Sequence, residues 1–237
     1  MLPDYGIDED IFRLYPGYRR GLVLGQRLRN GPSDASLIAD LRSQESALRT
    51  IVQGNPAEHP PIAAWREAYR RFGARPSDFR SSVEALTRRV LRGDSLPSIN
   101  ALVDIGNLVS MRYVTPVGVH PIPTASARLR LRLSAPGDSF LPPDGGPAEI
   151  PEIGEVVFAQ EHSVLTRRWT WRQAALTLTL PETTAVFFNI DALQGLSDDA
   201  VAAAARDLTE LVSKYCGGET QTVVLDAANP GWSLSSM

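Results

Sequence analysis

A chain of 237 residues with 43% apolar and 22% charged residues has ordinary globular usage, and it is long enough to bury a core without a metal or disulfide staple. Its net charge of −3 excludes a molecule that traps nucleic acid by overall charge. The single cysteine, Cys216, excludes an intrachain disulfide and suits a reducing cytoplasm.

Residues 1–13 are acidic and broken by Pro3 and Gly6, and no apolar run reaches bilayer length, so neither secretion nor membrane insertion is expected. Residues 18–29 read as an opening strand on Leu22, Val23, Leu24 and Leu28. After the Asn30-Gly31-Pro32-Ser33 turn, Ser33 or Asp34 caps a helix to about Ile51, with Leu37, Ile38, Leu41 and Leu48 on one side. A loop over 53–61 follows. Ile62, Trp65, Tyr69 and Phe72 then mark a helix with an aromatic stripe, ended by Gly73. Ser77 is the expected cap of the next helix, which carries Phe79, Val83, Leu86 and Val90. Pro97-Ser98 opens a fourth, through Ile99, Leu102, Val103 and Val109.

Beyond Met111 the period becomes that of strands. Residues 127–133 alternate, with Leu129, Leu131 and Leu133 on one face and Arg128, Arg130 and Arg132 on the other. A Pro- and Gly-rich loop over 136–151 precedes short strands at 155–160, 163–171, 176–180 and 185–190. Ser197-Asp198-Asp199 caps a last helix to Tyr215, with acids in the first turn where the helix dipole favours them. Residues 222–225 form a final strand, and the tail is expected to fray. The pattern is an α+β fold, read as one domain over 1–237, with a strand–helix extension over 1–59 and a C-terminal helix and strand over 191–237.

Cysteine and histidine show no zinc spacing, and His59, His120 and His162 are scattered. No phosphate-binding loop, dinucleotide fingerprint or nucleophile elbow appears, so no metal or cofactor is expected. Three stretches remain. Asn100, Asp104 and Asn107 fall at i, i+4 and i+7 of the fourth helix. They form either a structural network that pins the Pro116-Val117-Gly118 loop or a pocket wall that orients a ligand. Residues 167–172, read as a strand, put Arg168, Thr170 and Arg172 on one face and Arg167, Trp169 and Trp171 on the other. The arginines are then solvated, or they meet a phosphate or carboxylate beside a stacking tryptophan. Arg128, Arg130 and Arg132 on a neighbouring strand would extend that face. The helical Arg66, Arg70, Arg88 and Arg92 read as solvated faces. Lys214 is the single lysine, so phosphate contact falls to arginine. His120, after the Pro-Val-Gly turn, is a bystander or a site group.

These stretches resemble a known family. Residues 88–91, Pro97 and 99–107 are similar to the basic helix, Pro-Ile-Asn turn and Val-Asp-x-x-Asn helix of the B3/4 editing domain of the phenylalanyl-tRNA synthetase β subunit. Residues 116–120 resemble its Pro-containing loop, and residues 128–133, 154–157 and 168–173 fit stand-alone members; the match covers about 60–190. Homologous domains occur in a lysidine synthetase. The resemblance implies helices packed on a sandwich-like, mostly antiparallel sheet, and a pocket for an aminoacyl-adenosine end. It implies hydrolysis of a wrongly attached amino acid from tRNA, or a module that holds an amino acid, a nucleoside or a tRNA end; no DNA partner is expected. Asn100, Asn107 and His120 are the candidate catalytic residues, and Asp104, Pro116, Gly118, Arg130, Arg168, Trp171 and Arg172 the candidate substrate contacts. Three departures stand out. Gly118 follows Pro116-Val117 where the synthetase pattern has a His, Pro121 stands where it has an Asp, and Trp169-Thr170-Trp171-Arg172 replaces its Gly-Gly-Glu type segment.

Overall fold

The computed structural model describes residues 4–122 and 128–233; Ala127, read as the start of the alternating strand, and the tail over 234–237 lie outside them. The described elements in chain order are β1 (Asp4–Ile7), α1 (Glu9–Leu14), β2 (Arg19–Gln26), α2 (Ala35–Ile51), α3 (Pro60–Arg71), α4 (Ser82–Leu91) and α5 (Ala101–Tyr113). They continue with β3 (Val117–Pro121), β4 (Arg128–Leu133), β5 (Val156–Gln160), β6 (Ser163–Arg167), β7 (Arg172–Gln173), β8 (Val186–Ala192), α6 (Asp198–Tyr215), β9 (Glu219–Leu225) and β10 (Gly231–Ser233).

The strands form a six-stranded sheet, β10-β1-β4-β5-β6-β7, and a four-stranded sheet, β3-β8-β2-β9. Every pairing is antiparallel except β1 with β4. The inner faces meet: Tyr5 of β1 lies 5.3 Å from Phe187 of β8, and His120 of β3 lies 5.3 Å from Phe158 of β5, centroid to centroid. Helices α5 and α6 cover the outer face of the smaller sheet. Strand β2 is therefore buried on both sides, which explains its unbroken apolar centre at Leu22, Val23 and Leu24. Gly106 lets α5 approach β3, because a Cβ there would stand 2.8 Å from Val119 Cγ2. One apolar cluster draws side chains from both sheets and all six helices. A second, of Phe140, Val157, Ala159, Val164 and Ala174, packs separately from it. The α+β sandwich is the expected one, with helices against a mostly antiparallel sheet. No helix among the described residues is long and apolar enough to cross a membrane.

Several boundaries differ from the sequence expectation. Helix α4 begins at Ser82 rather than after Ser77, because Asp78 and Phe79 fold back in turns onto the Arg75 carbonyl. Residues 117–121, expected as a loop, pair with β8 as strand β3. The expected strand over 176–180 is a single 3-10 turn, Ala175–Thr177, followed by irregular chain; its leucines alternate but face water, with Leu176 73% exposed. The strand expected over 163–171 stops at Arg167, since Arg168 and Trp169 take left-handed backbone angles (φ 44° and 62°). Strands β1 and β10 and helix α1 carry no clear signal in the sequence.

Candidate functional site

Between the two sheets lies a cleft of about 250 Å³. Strands β2, β3 and β8 contribute Arg20, Gly118, His120, Asn189 and Asp191 to it, and α5 contributes Val103 and Asn107. The other sheet supplies Phe158, Thr166, Arg172 and Gln173. The turn between β6 and β7 closes it with Trp169, Thr170 and Trp171.

Burial organises the floor. Arg20 is 1% exposed and contacts one oxygen of Asp191 through Nε and Nη2, each at 2.7 Å. Its Nη1 donates to the Tyr5 hydroxyl at 2.7 Å, and Tyr5 donates onward to Asn189 Oδ1 at 2.8 Å. The Tyr18 hydroxyl also donates to Asp191. A charge this deep survives only when paired and hydrogen-bonded, and here each of the three guanidinium nitrogens has a partner.

His120 stands on the same floor, 5% exposed, with its ring against Phe158. Gly118 makes room for it: a Cβ at Gly118 would lie 3.0 Å from His120 Nε2. Gln173 Nε2 is 3.3 Å from His120 Nδ1, an arrangement in which Nδ1 accepts and Nε2 carries the proton. Burial, reinforced by the Arg20 charge, lowers its pKa to about 3, so the ring is neutral at pH 7. An unfolded histidine takes its proton near pH 6.5. Between that pH and about 3 the unfolded chain binds the extra proton, so stability is full above 6.5 and falls on acidification. Urea unfolding at pH 7 and pH 5 should show this loss, at up to about 1.4 kcal/mol per pH unit. His120→Gln should lose less on the same change; an equal loss would place the acid sensitivity elsewhere.

The turn that carries the tryptophans is held by Glu155, which is 2% exposed. Its carboxylate accepts from the Arg168 backbone N–H at 2.9 Å and from Arg167 Nε and Nη2 at 3.0 and 2.7 Å. The Trp169 N–H reaches the Val156 carbonyl at 2.7 Å. Left-handed angles at two successive non-glycine residues cost about 1–2 kcal/mol each, which this network offsets. Trp169 thereby points into the core and Trp171 toward the cleft rim, a half-buried indole.

The cleft brings together Asn107, Pro116, Gly118, His120, Trp171 and Arg172. Four other residues singled out in the sequence do not line it. Asn100 is not on a helical row with Asn107. It is the N-cap of α5, accepting from the Val103 N–H at 3.1 Å and donating to the Thr179 carbonyl at 2.8 Å. Asp104 is fully buried, taking the Ser33 and Ser98 hydroxyls at 2.6 and 2.5 Å and the Ile99 N–H at 3.1 Å. Both fix the helix that presents Asn107. Arg130 folds over Gly6 and pairs with Asp4 at 2.7 Å. Arg168 stacks on Phe79 and Trp171, its guanidinium carbon 3.6 and 4.5 Å from the ring centroids.

The proposed arginine face is also rearranged. Arg132 is spent on Asp138 at 2.7 and 2.8 Å, Arg172 pairs with Asp144 at 2.7 Å, and β5 and β6 separate β4 from β7. Sequence reasoning missed Arg20, Glu155, Asn189 and Asp191. A charge beside an apolar run in each strand, Arg20 before Leu22–Leu24 in β2 and Asp191 after Ile190 in β8, was the available signal. Among the described residues no group of three His, Cys, Asp or Glu side chains is placed to hold a metal ion.

A family model described as the B3/4 domain matches residues 64–217, from α3 through the end of α6. The chain belongs to the B3/4 domain family. Strands β1 and β2 and helices α1 and α2 precede the matched stretch, so the cleft of this B3/4 domain protein takes Arg20 from outside it. Among solved structures, an N-terminal fragment of the phenylalanyl-tRNA synthetase β-subunit from Pyrococcus horikoshii is similar at 11% identity and a TM-score of 0.45, over 94% of this chain and 53% of that one. The chain thus spans about half the length of that fragment. No curated protein matches it.

Proposed function

We propose that this B3/4 domain takes the aminoacylated 3′ end of a tRNA into the cleft and hydrolyses a wrongly attached amino acid. The observation that carries the reading is the pairing of aromatic and polar walls in one cleft, Phe158 and Trp171 facing Asn107, His120 and Asn189. Aromatic faces accept a base or a side-chain ring, while amide and imidazole groups orient a water and the ester. In this reading Asn107 and His120 touch the reacting ester and water, Arg172 meets the terminal phosphate at the rim, and Asn100 and Asp104 act by positioning α5. The chemistry needs no metal, and a cytoplasmic setting goes with it.

The test is deacylation of a panel of mischarged tRNAs by the purified protein, beside a working editing enzyme. Hydrolysis of at least one ester above buffer is expected, with Asn107→Ala reducing it about 100- to 1,000-fold, as loss of one positioned catalytic group does. No turnover of any member would sink the hydrolase reading. A second reading, a module that holds an amino acid, nucleoside or RNA end without turnover, is favoured by the low pKa of His120. A base that far below neutrality pulls weakly on water. Saturable stabilisation of the fold by those ligands with no hydrolysis would select it.

A further inference from the structure

Trp171 has a second neighbour. Beyond it, away from the cleft, a groove of about 550 Å³ is lined by Gly54, Pro56, Arg80, Ala85, Arg88 and Arg92, with Trp171 as the shared wall. Helix α4 runs past both spaces: Ser82 faces the cleft, and Ala85, one turn on, faces the groove.

The groove is positive although the protein carries a net −3. Arg80 is exposed and has no ion-pair partner among the described residues. Arg92 is 70% exposed and reaches Asp94 only at 3.6 Å. Arg88 meets Glu84 at 2.9 Å, but that fully buried carboxylate is shared with Arg66 at 2.7 Å. Asp78, an acid at the groove edge, is already held by Arg75 at 2.8 Å. Arg88 and Arg92 are four residues apart, so their stems rise about 5–6 Å apart on one side of the helix end. That spacing lets each guanidinium take a different phosphate. Trp171 stands between these cations and the cleft, braced edge-to-face by Phe79 at 5.0 Å and backed by Arg168.

We infer that this groove is a track for the sugar–phosphate backbone of single-stranded RNA, with a base stacked on Trp171 and the 3′ end directed into the cleft. The inference rests on the reading of the cleft as the seat of an aminoacylated RNA end. It assigns backbone phosphate contact to Arg80, Arg88 and Arg92 and leaves the terminal phosphate to Arg172, whereas Arg130 and Arg132 of β4 are held by Asp4 and Asp138.

The test uses the full chain and a short fluorescent single-stranded oligoribonucleotide with no aminoacyl ester. Binding of that strand reports the groove whether or not the cleft hydrolyses anything, while a phosphate-free aminoacyl nucleoside reports the cleft alone. The parent should bind with an affinity that falls steeply with salt. Arg80→Gln with Arg92→Gln should flatten the slope of log K against log salt by about 1.4, or about 0.7 for each phosphate that is no longer neutralised. Both side chains are exposed, so the melting temperature should stay put; Arg88 is left in place because it braces Glu84. Trp171→Ala should weaken the oligonucleotide about 5- to 150-fold, the worth of one stacked base, and leave inorganic polyphosphate binding unchanged. An oligonucleotide that does not bind, or a double variant with the parent's slope, overturns the track. Equal weakening of polyphosphate and oligonucleotide in Trp171→Ala overturns the stacking.

Discussion

Asp191→Ala is expected to destabilise the fold by about 3–5 kcal/mol, lowering the melting temperature by about 6–20 °C. The carboxylate sits between β2 and β3 at the floor of the cleft, 3% exposed, and holds Arg20 by two nitrogens and Tyr18 by its hydroxyl. Alanine leaves a guanidinium that is 1% exposed with no counter-charge. Its solvation cannot be recovered, because the two sheets close over it. Arg20→Met combined with Asp191→Leu removes both charges and should regain part of the loss. Recovery should be incomplete, since Tyr18 keeps a buried hydroxyl without its acceptor, at about 1–3 kcal/mol, while Tyr5 still donates to Asn189. Denaturant unfolding of the parent, the single variant and the double variant reads all of this. A single variant as stable as the parent would mean that water reaches Arg20 and the floor is open.

Trp169→Ala is expected to cost about 3–5 kcal/mol by a different route, the loss of packed aromatic volume. The indole is 2% exposed and meets Tyr15, Tyr18 and Trp65 edge-on, with centroids 4.7, 4.9 and 5.0 Å away. Tyr15 and Tyr18 lie in the short link between α1 and β2 and Trp65 in the middle of α3, so one side chain joins two stretches far apart in the chain. Trp169→Phe keeps an aromatic centre and should lose less than half as much. Because the same turn aims Trp171, Trp169→Ala should also weaken ligand binding in the cleft under conditions where it remains folded. Calorimetry gives the first quantity and ligand titration the second; a variant that melts with the parent would sink the packing account.

Local chemistry made part of this architecture legible. The cap at Asp34 bonds the Leu37 N–H at 2.8 Å, the Ser197 hydroxyl bonds that of Ala200 at 3.2 Å, and the stripe of Ile62, Trp65 and Tyr69 is buried where its spacing put it. Such signals act within a turn of helix and can be read from neighbours. The alternation of β4 also held, with Leu129 and Leu131 buried. What escaped was settled by partners far along the chain. Leu176, Leu178 and Leu180 alternate like a strand but lie exposed and pair with no strand of either sheet. Arg168 and Trp169 leave the strand because Glu155, far from them in sequence, ties the turn from below. The residues around Asn100 illustrate the same limit for the site. Their polar spacing was visible, but the choice between cap and ligand contact depended on Thr179 and Ser33 arriving from other elements. The ion pair at the floor joins positions from β2 and β8, and nothing near either one announces the other.

The pairing of strands sets a timetable for building the cleft. Strand β1 lies between β4 and β10, and β2 lies between β8 and β9. The earliest strands to leave the ribosome are therefore interior members of both sheets, and each waits for neighbours made much later. Until Val186–Ala192 is synthesised, Arg20 has no Asp191 and β3 has no strand to lie against. Such nonlocal closure is slow, on the order of milliseconds to seconds. A nascent chain that has already formed α2 through α5 therefore carries the helix with Asn107 but no enclosed floor beneath it. The lining of the cleft is complete only once Asp191 has been made, so a shorter chain has no enclosed floor against which to hold a ligand.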